Sequence, residues 1–312
     1  MAKQPEPRYM GGQAVMEGVM MRGADAWAVA VRTPEDGIEV VVHDAPRWSE
    51  RYRRIPLVRG ITALAESLSL GFRALAWSAN RQVPEDEQLP SGAMGWAMGG
   101  ALVVFTALFI LLPALAARGL DRFVDGSGVG FHVAEGTLRL ALFVGYIVAI
   151  SRMADIRRVF EYHGAEHKAI AAYENGTELT PEAAQRFTTQ HVRCGTNFLL
   201  TVMVVTILVY SLFGRPDWVM LVASRVVLIP VIAGLSFEVI RFAARHMDRR
   251  WIRVLVRPGL ALQRLTTREP SDDQVEVALA ALRAVLTAEQ LAEVEARAAS
   301  GTVVTRPALG TA

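Results

Sequence analysis

Residues 94–117 read MGWAMGGALVVFTALFILLPALAA, and this stretch decides the class of fold. It holds no charged residue and exceeds the roughly 20 residues that a helix needs to cross a bilayer. The chain as a whole is 52% hydrophobic with a mean hydropathy of +0.27, which is high for a soluble protein. Three later segments have the same apolar character: Ala134–Ser151, Thr196–Phe213 and Trp218–Phe242. The sequence therefore predicts a mainly α, polytopic membrane protein with about four transmembrane helices.

Basic residues give these spans an orientation. Arginines are frequent before the first span, between the second and third, and after the fourth, whereas the two other connections are poorer in them. Basic loops stay in the cytoplasm, so we expect a multi-pass membrane protein with both termini cytoplasmic. The net charge of only +2 makes nucleic acid an unlikely partner, and the single cysteine excludes an intramolecular disulfide. The first residues resemble no signal peptide.

The regions outside the spans carry sequence signals for secondary structure of their own. Ala26–Asp44 has two β-rich runs around a Pro-Glu-Asp-Gly turn, which predicts a hairpin. Ile55–Asn80 predicts an amphipathic helix, which either lies on the inner membrane surface or packs on the hairpin. Ser271 and Gln274 form a capping pattern before an apolar stripe. We divide the chain into an α+β cytoplasmic N-terminal region (1–90), the first two transmembrane helices (91–151), a cytoplasmic His/Cys loop (152–195), a second transmembrane hairpin (196–243), a helical cytoplasmic C-terminal region (244–299) and a disordered tail (300–312).

Two charges interrupt the fourth apolar segment. Intramembrane charges are rare and often functional, and a transport role would rest on Arg225 and Glu238 alone. The simpler interpretation is that Arg225 snorkels outward and that Glu238 pairs with Arg241. Gly95 and Gly99 form a small-xxx-small motif, which favours close helix packing.

The chemistry-bearing stretch is EYHGAEHKAIAAYEN, Glu161–Asn175. At about 100° per residue, His163, Glu166, His167 and Glu174 share one helix face about 100° wide. The H-x-x-E-H order is that of inverted zinc peptidases, but their additional acidic ligand lies much further downstream, and Glu174 is too close to replace it. Peptidase activity is therefore poorly supported.

A second cluster offers a different completion of the site. His191 and Cys194 form an H-x-x-C pair just before the third span, and imidazole and thiolate are both zinc ligands. The alternatives stay open: the histidines are the polar edge of a juxtamembrane helix, and the cysteine is a small packing residue.

Five blocks together resemble one known family: GGQAVMEGVMMRG (11–23), RGITALAESLSLGFRALAWSA (59–79), FEYHGAEHKAIAAYE (160–174), HVRCGTNFL (191–199) and PGLALQRLTTREP (258–270). They are similar to the bacterial YqhQ-like family, a domain of unknown function labelled a predicted metal-dependent enzyme, and the resemblance runs from about Gly11 to Leu286. It implies that His163, Glu166, His167, His191 and Cys194 act as a unit. It also makes Glu17 and Arg22 candidates.

Two functions follow as expectations. The first is a metal-dependent hydrolase-like enzyme, with Zn²⁺ held by His163, His167 and either His191 or Cys194. Glu166 or Glu17 would act on the attacking water, and Arg193 or Arg22 would hold an anionic group of the substrate. The alternative is a non-enzymatic assembly or translocation accessory, or a scaffold. Expected partners are membrane lipids and either a second copy of the chain or another membrane protein.

Overall fold

The computed structural model describes residues 10–299, except 85, 87, 89, 120–127, 215 and 216; the predicted tail, 300–312, lies outside the described residues. The chain is mainly helical, with a small sheet near its N-terminus. The strands are β1 (Gly11–Val15), β2 (Gly18–Arg22), β3 (Ala26–Arg32) and β4 (Ile38–Asp44). The helices are α1 (Val58–Arg81), α2 (Ser91–Thr106), α3 (Leu112–Gly119), α4 (Gly128–Ile150), α5 (Ala154–Asn175), α6 (Pro181–Ala184), α7 (Gly195–Ser211), α8 (Trp218–Val227), α9 (Ile229–Arg245), α10 (Arg250–Thr266), α11 (Asp272–Val285) and α12 (Ala288–Ala299). A π-helical turn, Ala107–Leu111, joins α2 to α3.

The sheet has four antiparallel strands in the order β1-β2-β3-β4. The predicted hairpin is present as β3 and β4, with Arg32 opposite Ile38. A second hairpin, for which the sequence analysis made no prediction, is formed by Gly11–Arg22 around a tight turn in which Glu17 has a φ of 51°. Gly18 of this turn lies against the backbone of Ala30, where a side chain would not fit.

Helices from distant parts of the sequence cover both faces of the sheet. On one face, α5 and α11 share a core with β2 and β3, and the apolar stripe of α11 is fully enclosed there. On the other face, Leu70 and Ala74 of α1 pack against Trp27 and Val29. The packing of α1 on the sheet was one of the two arrangements expected for it. The capping box of Ser271 and Gln274 is confirmed.

The apolar helices are compatible with a membrane protein. Gly92–Gly119 and Val129–Ile150 are long and apolar enough to cross a membrane. A third span is present if the pair Val219–Arg225 and Ile229–Arg245, bent by 45°, counts as one. The helix α7 is apolar but shorter, at 17 residues. The number of four spans therefore stays a prediction, as does the orientation of the termini.

The charges of the fourth segment are placed differently from the prediction. Arg225 is only 2% exposed and donates to Glu135 of α4, so it does not snorkel outward. Glu238 pairs with Arg59 of α1, which approaches it from a neighbouring helix. Positions Gly95 and Gly99 have open space around them, so their motif makes no close helix contact within the described residues.

Candidate metal centre

The helix α5 carries the first part of the candidate site. It ends at Gly176, whose φ of 67° is the left-handed conformation that glycine accepts without strain. Near its middle, Gly164 lies against the carbonyl oxygen of Arg268, so the segment after α10 passes directly over the helix. All residues of α5 from Tyr162 to Ile170 are buried, except His163, which is partly exposed.

Three of the four predicted metal ligands converge. His163, His167 and Cys194 can each offer one ligand atom such that all three atoms lie within 4.8 Å of one another. The Sγ of Cys194 is 3.2 Å from Nε2 of His163, and the two imidazole centroids are 4.5 Å apart. Ligand atoms of a tetrahedral zinc ion are about 3.5 Å apart, given metal–ligand distances of about 2.0–2.3 Å. The cluster is therefore close to the size that a bound zinc ion requires.

Main-chain carbonyls orient both imidazoles. Nδ1 of His163 donates to the oxygen of Thr266 at 2.7 Å, and Nδ1 of His167 donates to the oxygen of Thr189 at 2.5 Å. Because a carbonyl oxygen can only accept, Nδ1 carries the proton in both rings, and in a neutral ring the lone pair is then on Nε2. This is the arrangement that metal-binding histidines show in proteins.

Burial favours the neutral forms of His167, His191 and Cys194. It lowers the pKa of His167 well below its usual value, and the neighbouring His163 and His191 lower it further. Burial also lowers the pKa of His191 to about 4 and raises the pKa of the Cys194 thiol to about 11. Neutral imidazole is the metal-binding form, and a thiol loses its proton when it binds a metal ion.

Glu166 lies beside the three ligands and against the N-terminal sheet. Its Oε2 is 4.0 Å from Nε2 of His163. A side chain added at Gly12 of β1 would meet the Glu166 carboxyl group at 2.7 Å, so any larger residue there would displace the Glu166 side chain. Burial raises the pKa of Glu166 to about 7, although His163 partly offsets this. The N-terminal block therefore does reach the histidine face, through Gly12.

His191 is next to the cluster but is not one of the three converging residues. Its ring centroid is 5.6 Å from that of His167, and its Nε2 is 3.5 Å from Glu174. Glu174 also forms an ion pair with Arg193. Of the two completions that the sequence left open, the structure brings Cys194 closer than His191.

Glu17 and Arg22 form ion pairs with residues outside the ligand set. Glu17 pairs with Arg158, and Tyr162 donates to it at 3.4 Å. Arg22 pairs with Glu66, a fully buried residue of α1 that also accepts from the backbone of Ser49. Neither Glu17 nor Arg22 is one of the three residues whose ligand atoms converge.

Comparison with known proteins places the chain in a family. Residues 55–288 match the family described as "Protein of unknown function (DUF1385)". The chain belongs to this family. It is also 36% identical over 311 residues to "Uncharacterized protein YqhQ" of Bacillus subtilis (strain 168), an alignment that covers 94% of this chain and 97% of the relative. No solved structure matches the chain.

The matched region of this DUF1385 chain contains residues that sequence reasoning missed. Gln263 holds the backbone of His191 through two hydrogen bonds of 2.8 Å. The N–H group of His191 donates to Oε1 of Gln263, and Nε2 of Gln263 donates to the carbonyl oxygen of His191. Lys168 donates to the carbonyls of Gln185 and Phe187, and so fixes the loop that presents the oxygen of Thr189. The block 258–270 supplies the Thr266 carbonyl and the Gln263 amide.

Proposed function

We propose that this protein is a membrane-embedded, metal-dependent hydrolase-like enzyme. His163, His167 and Cys194 would hold a divalent cation, with Zn²⁺ favoured by the combination of two imidazoles and a thiol. The observation that carries the proposal is the geometry at these three residues, in which main-chain carbonyls accept from Nδ1 of both histidines. Three ligands leave a fourth position for water or substrate.

Glu166 is the best-placed acid–base group. In this proposal it accepts a proton from the attacking water and later returns it to the leaving group, as general acid–base catalysis requires. The backbone at Gly12 excludes solvent from one side of its carboxyl group. A bound Zn²⁺ ion would supply Lewis acidity and lower the pKa of water in its fourth position. Glu17 and Arg22 are not retained in these roles, because their ion pairs hold them elsewhere.

The substrate side of the proposal rests on the partly exposed rim of the site. Arg193 is the basic group at this rim, where Glu174 and His191 also lie. It would hold an anionic group of the substrate by exchanging its ion pair with Glu174. We place the site at the cytoplasmic surface of the bacterial inner membrane, in a four-span protein with both termini inside; the arginine-rich connections support this orientation.

Elemental analysis tests the proposal. Wild-type protein purified in detergent without chelator should contain about one zinc ion per chain, and His163→Ala/His167→Ala protein should contain none. Glu166→Gln should retain the metal and lose the cellular function of the gene. Wild-type protein without stoichiometric metal, isolated under conditions that preserve its fold, would contradict the proposal.

A structural metal clip in a non-enzymatic membrane accessory or scaffold protein is the second candidate. Its support is the burial of the site, since His167 and Cys194 are 2% and 7% exposed. Structural zinc sites have four protein ligands, and Glu166 or His191 would be the fourth. This candidate predicts that Glu166→Gln or His191→Ala weakens metal retention itself, whereas the enzyme proposal predicts metal retention with loss of function for Glu166→Gln.

A further inference from the structure

The helix α10 divides into three longitudinal faces. At about 100° per residue, Arg250, Arg253, Arg257 and Arg264 fall in one sector about 60° wide. Trp251, Val254 and Leu255 occupy the adjacent sector and are 50%, 57% and 66% exposed. The remaining sector is packed on the protein, with Ile252 buried and Gly259 against Asn197 of α7.

An exposed apolar face beside a basic face is the pattern of a helix lying in a membrane interface. The apolar residues enter the boundary between headgroups and acyl chains, while the arginines reach the phosphate layer. The position of α10 fits this, because it follows α9, a candidate membrane segment, after four residues and packs on the apolar helix α7. Trp251, whose ring is 6.3 Å from that of Phe242, is a typical interfacial residue.

Among the described residues, the four arginines of α10 have no direct ion-pair partner. Within the part of the chain that the structure describes, none of the four has a carboxylate within 4.0 Å. Other arginines of the same structure do have such partners, for example Arg59 with Glu238. The basic face of α10 therefore has positive charge available for an anionic group outside the chain.

The same helix also reaches the candidate metal centre. Its C-terminal half carries Gln263, which holds the backbone of His191, and Thr266, whose carbonyl orients His163. A change in the position of α10 would consequently move two of the contacts around the site.

We propose that the N-terminal half of α10 binds anionic phospholipid headgroups, and that this contact fixes the helix end that orients His163 and His191. The second part rests on the proposed function. In this arrangement the metal centre binds its ion more tightly when α10 lies on an anionic membrane surface. The site is thereby coupled to the lipid around it.

Fluorescence quenching in nanodiscs tests the lipid contact without any metal. The signal of Trp251 is obtained as the difference between wild-type and Trp251→Phe protein. Brominated phosphatidylglycerol should quench this signal at least about 3-fold more than brominated phosphatidylcholine at equal mole fraction, because basic residues near the surface enrich anionic lipid. The preference should disappear in Arg250→Gln/Arg253→Gln/Arg257→Gln and persist in the matched triple lysine variant. Equal quenching by the two lipids, or a preference that survives the glutamine variant, would overturn the docking surface.

Cobalt(II) affinity in nanodiscs containing phosphatidylglycerol tests the coupling. The glutamine variant should bind Co²⁺ up to about 10-fold more weakly than wild-type protein in the same discs, the lower end of what losing a group behind a metal ligand costs. The comparison within one lipid composition removes the attraction of cations to the disc itself. Equal affinities would refute the coupling. If wild-type protein binds no cobalt in any disc, the proposed metal site is refuted, and the quenching result alone decides whether α10 binds anionic lipid.

Discussion

The buried charge network between the apolar helices gives the sharpest prediction about stability. Glu135 of α4 accepts hydrogen bonds of 2.5 Å from both Arg139 and Arg225, and each of these side chains is less than 10% exposed. The Arg225 guanidinium also lies over the ring of Tyr210, 3.6 Å from its centroid. Two buried cations thus share one carboxylate.

The two sides of this network should respond unequally to substitution. Glu135→Gln leaves two guanidinium groups buried without a counter-charge, and removing one partner of a buried ion pair costs about 3–5 kcal/mol. Arg225→Met leaves the balanced pair of Glu135 and Arg139. It loses the contact with Tyr210, worth about 2 kcal/mol when desolvated, but it also removes the excess buried charge. We therefore expect the loss for Arg225→Met to be below about 2 kcal/mol.

Equilibrium unfolding in mixed micelles, with increasing fractions of a denaturing detergent, measures both free energies. The prediction is an order as well as a size: Glu135→Gln is the more destabilising substitution by at least about 1 kcal/mol. Arg225→Met protein that unfolds as easily as Glu135→Gln protein would show that the second guanidinium is a net stabilising group. A wild-type free energy for Glu135→Gln would show that water reaches the arginines.

Two further predictions concern the surroundings of the metal centre. Gln263→Leu removes both hydrogen bonds to the His191 backbone, whose carbonyl oxygen also accepts from the N–H group of the proposed ligand Cys194. It should therefore lower Zn²⁺ affinity about 10-fold, measured by competition with a chromophoric chelator; an unchanged affinity would contradict the role given to this amide. Gly164→Ala places a methyl group on the carbonyl oxygen of Arg268 and should cost about 1–3 kcal/mol of unfolding free energy, whereas the matched control Gly145→Ala, with open space around it, should be neutral or stabilising by up to about 1 kcal/mol. Equal effects of the two glycine substitutions would argue against the close approach at Gly164.

The parts of the site that could be predicted from sequence are the ones with a local pattern. The helical period puts His163 and His167 on one face, and both are found there with Cys194 beside them. The start of α6 at Thr180 and the end of α5 at Gly176 were equally accessible, because each depends on the conformational preference of one or two residues. Local patterns are sufficient for these features.

The parts that could not be predicted depend on contacts between distant residues. Thr266 and Thr189 act through carbonyl oxygens, which every residue has, so no residue type marks them. The contact of Gly12 with Glu166 joins a strand to a helix far along the chain. Glu238 had a partner available in sequence, Arg241, but the fold brings Arg59 to it from α1.

The first hairpin of the sheet shows the same limit for secondary structure. β1 and β2 are five residues each and contain glycine and polar side chains, so alternation alone does not reveal them. Pairing with β3 and cover by α11 stabilise β2, and α11 comes from the far end of the sequence. The core around the sheet thus combines residues of the N-terminal, His/Cys and C-terminal regions, which the sequence analysis treated as separate.

Cobalt(II) absorption spectroscopy of the detergent-purified protein tests the central claim most directly. Titration of wild-type protein should saturate at about one Co²⁺ per chain, with visible bands of tetrahedral intensity and a near-ultraviolet thiolate-to-cobalt charge-transfer band. Cys194→Ser should lose the charge-transfer band, and His167→Ala should lose high-affinity binding. Two results would contradict a metal centre built from His163, His167 and Cys194. One is saturable Co²⁺ binding by wild-type protein without the thiolate-to-cobalt band, and the other is no Co²⁺ binding by folded wild-type protein.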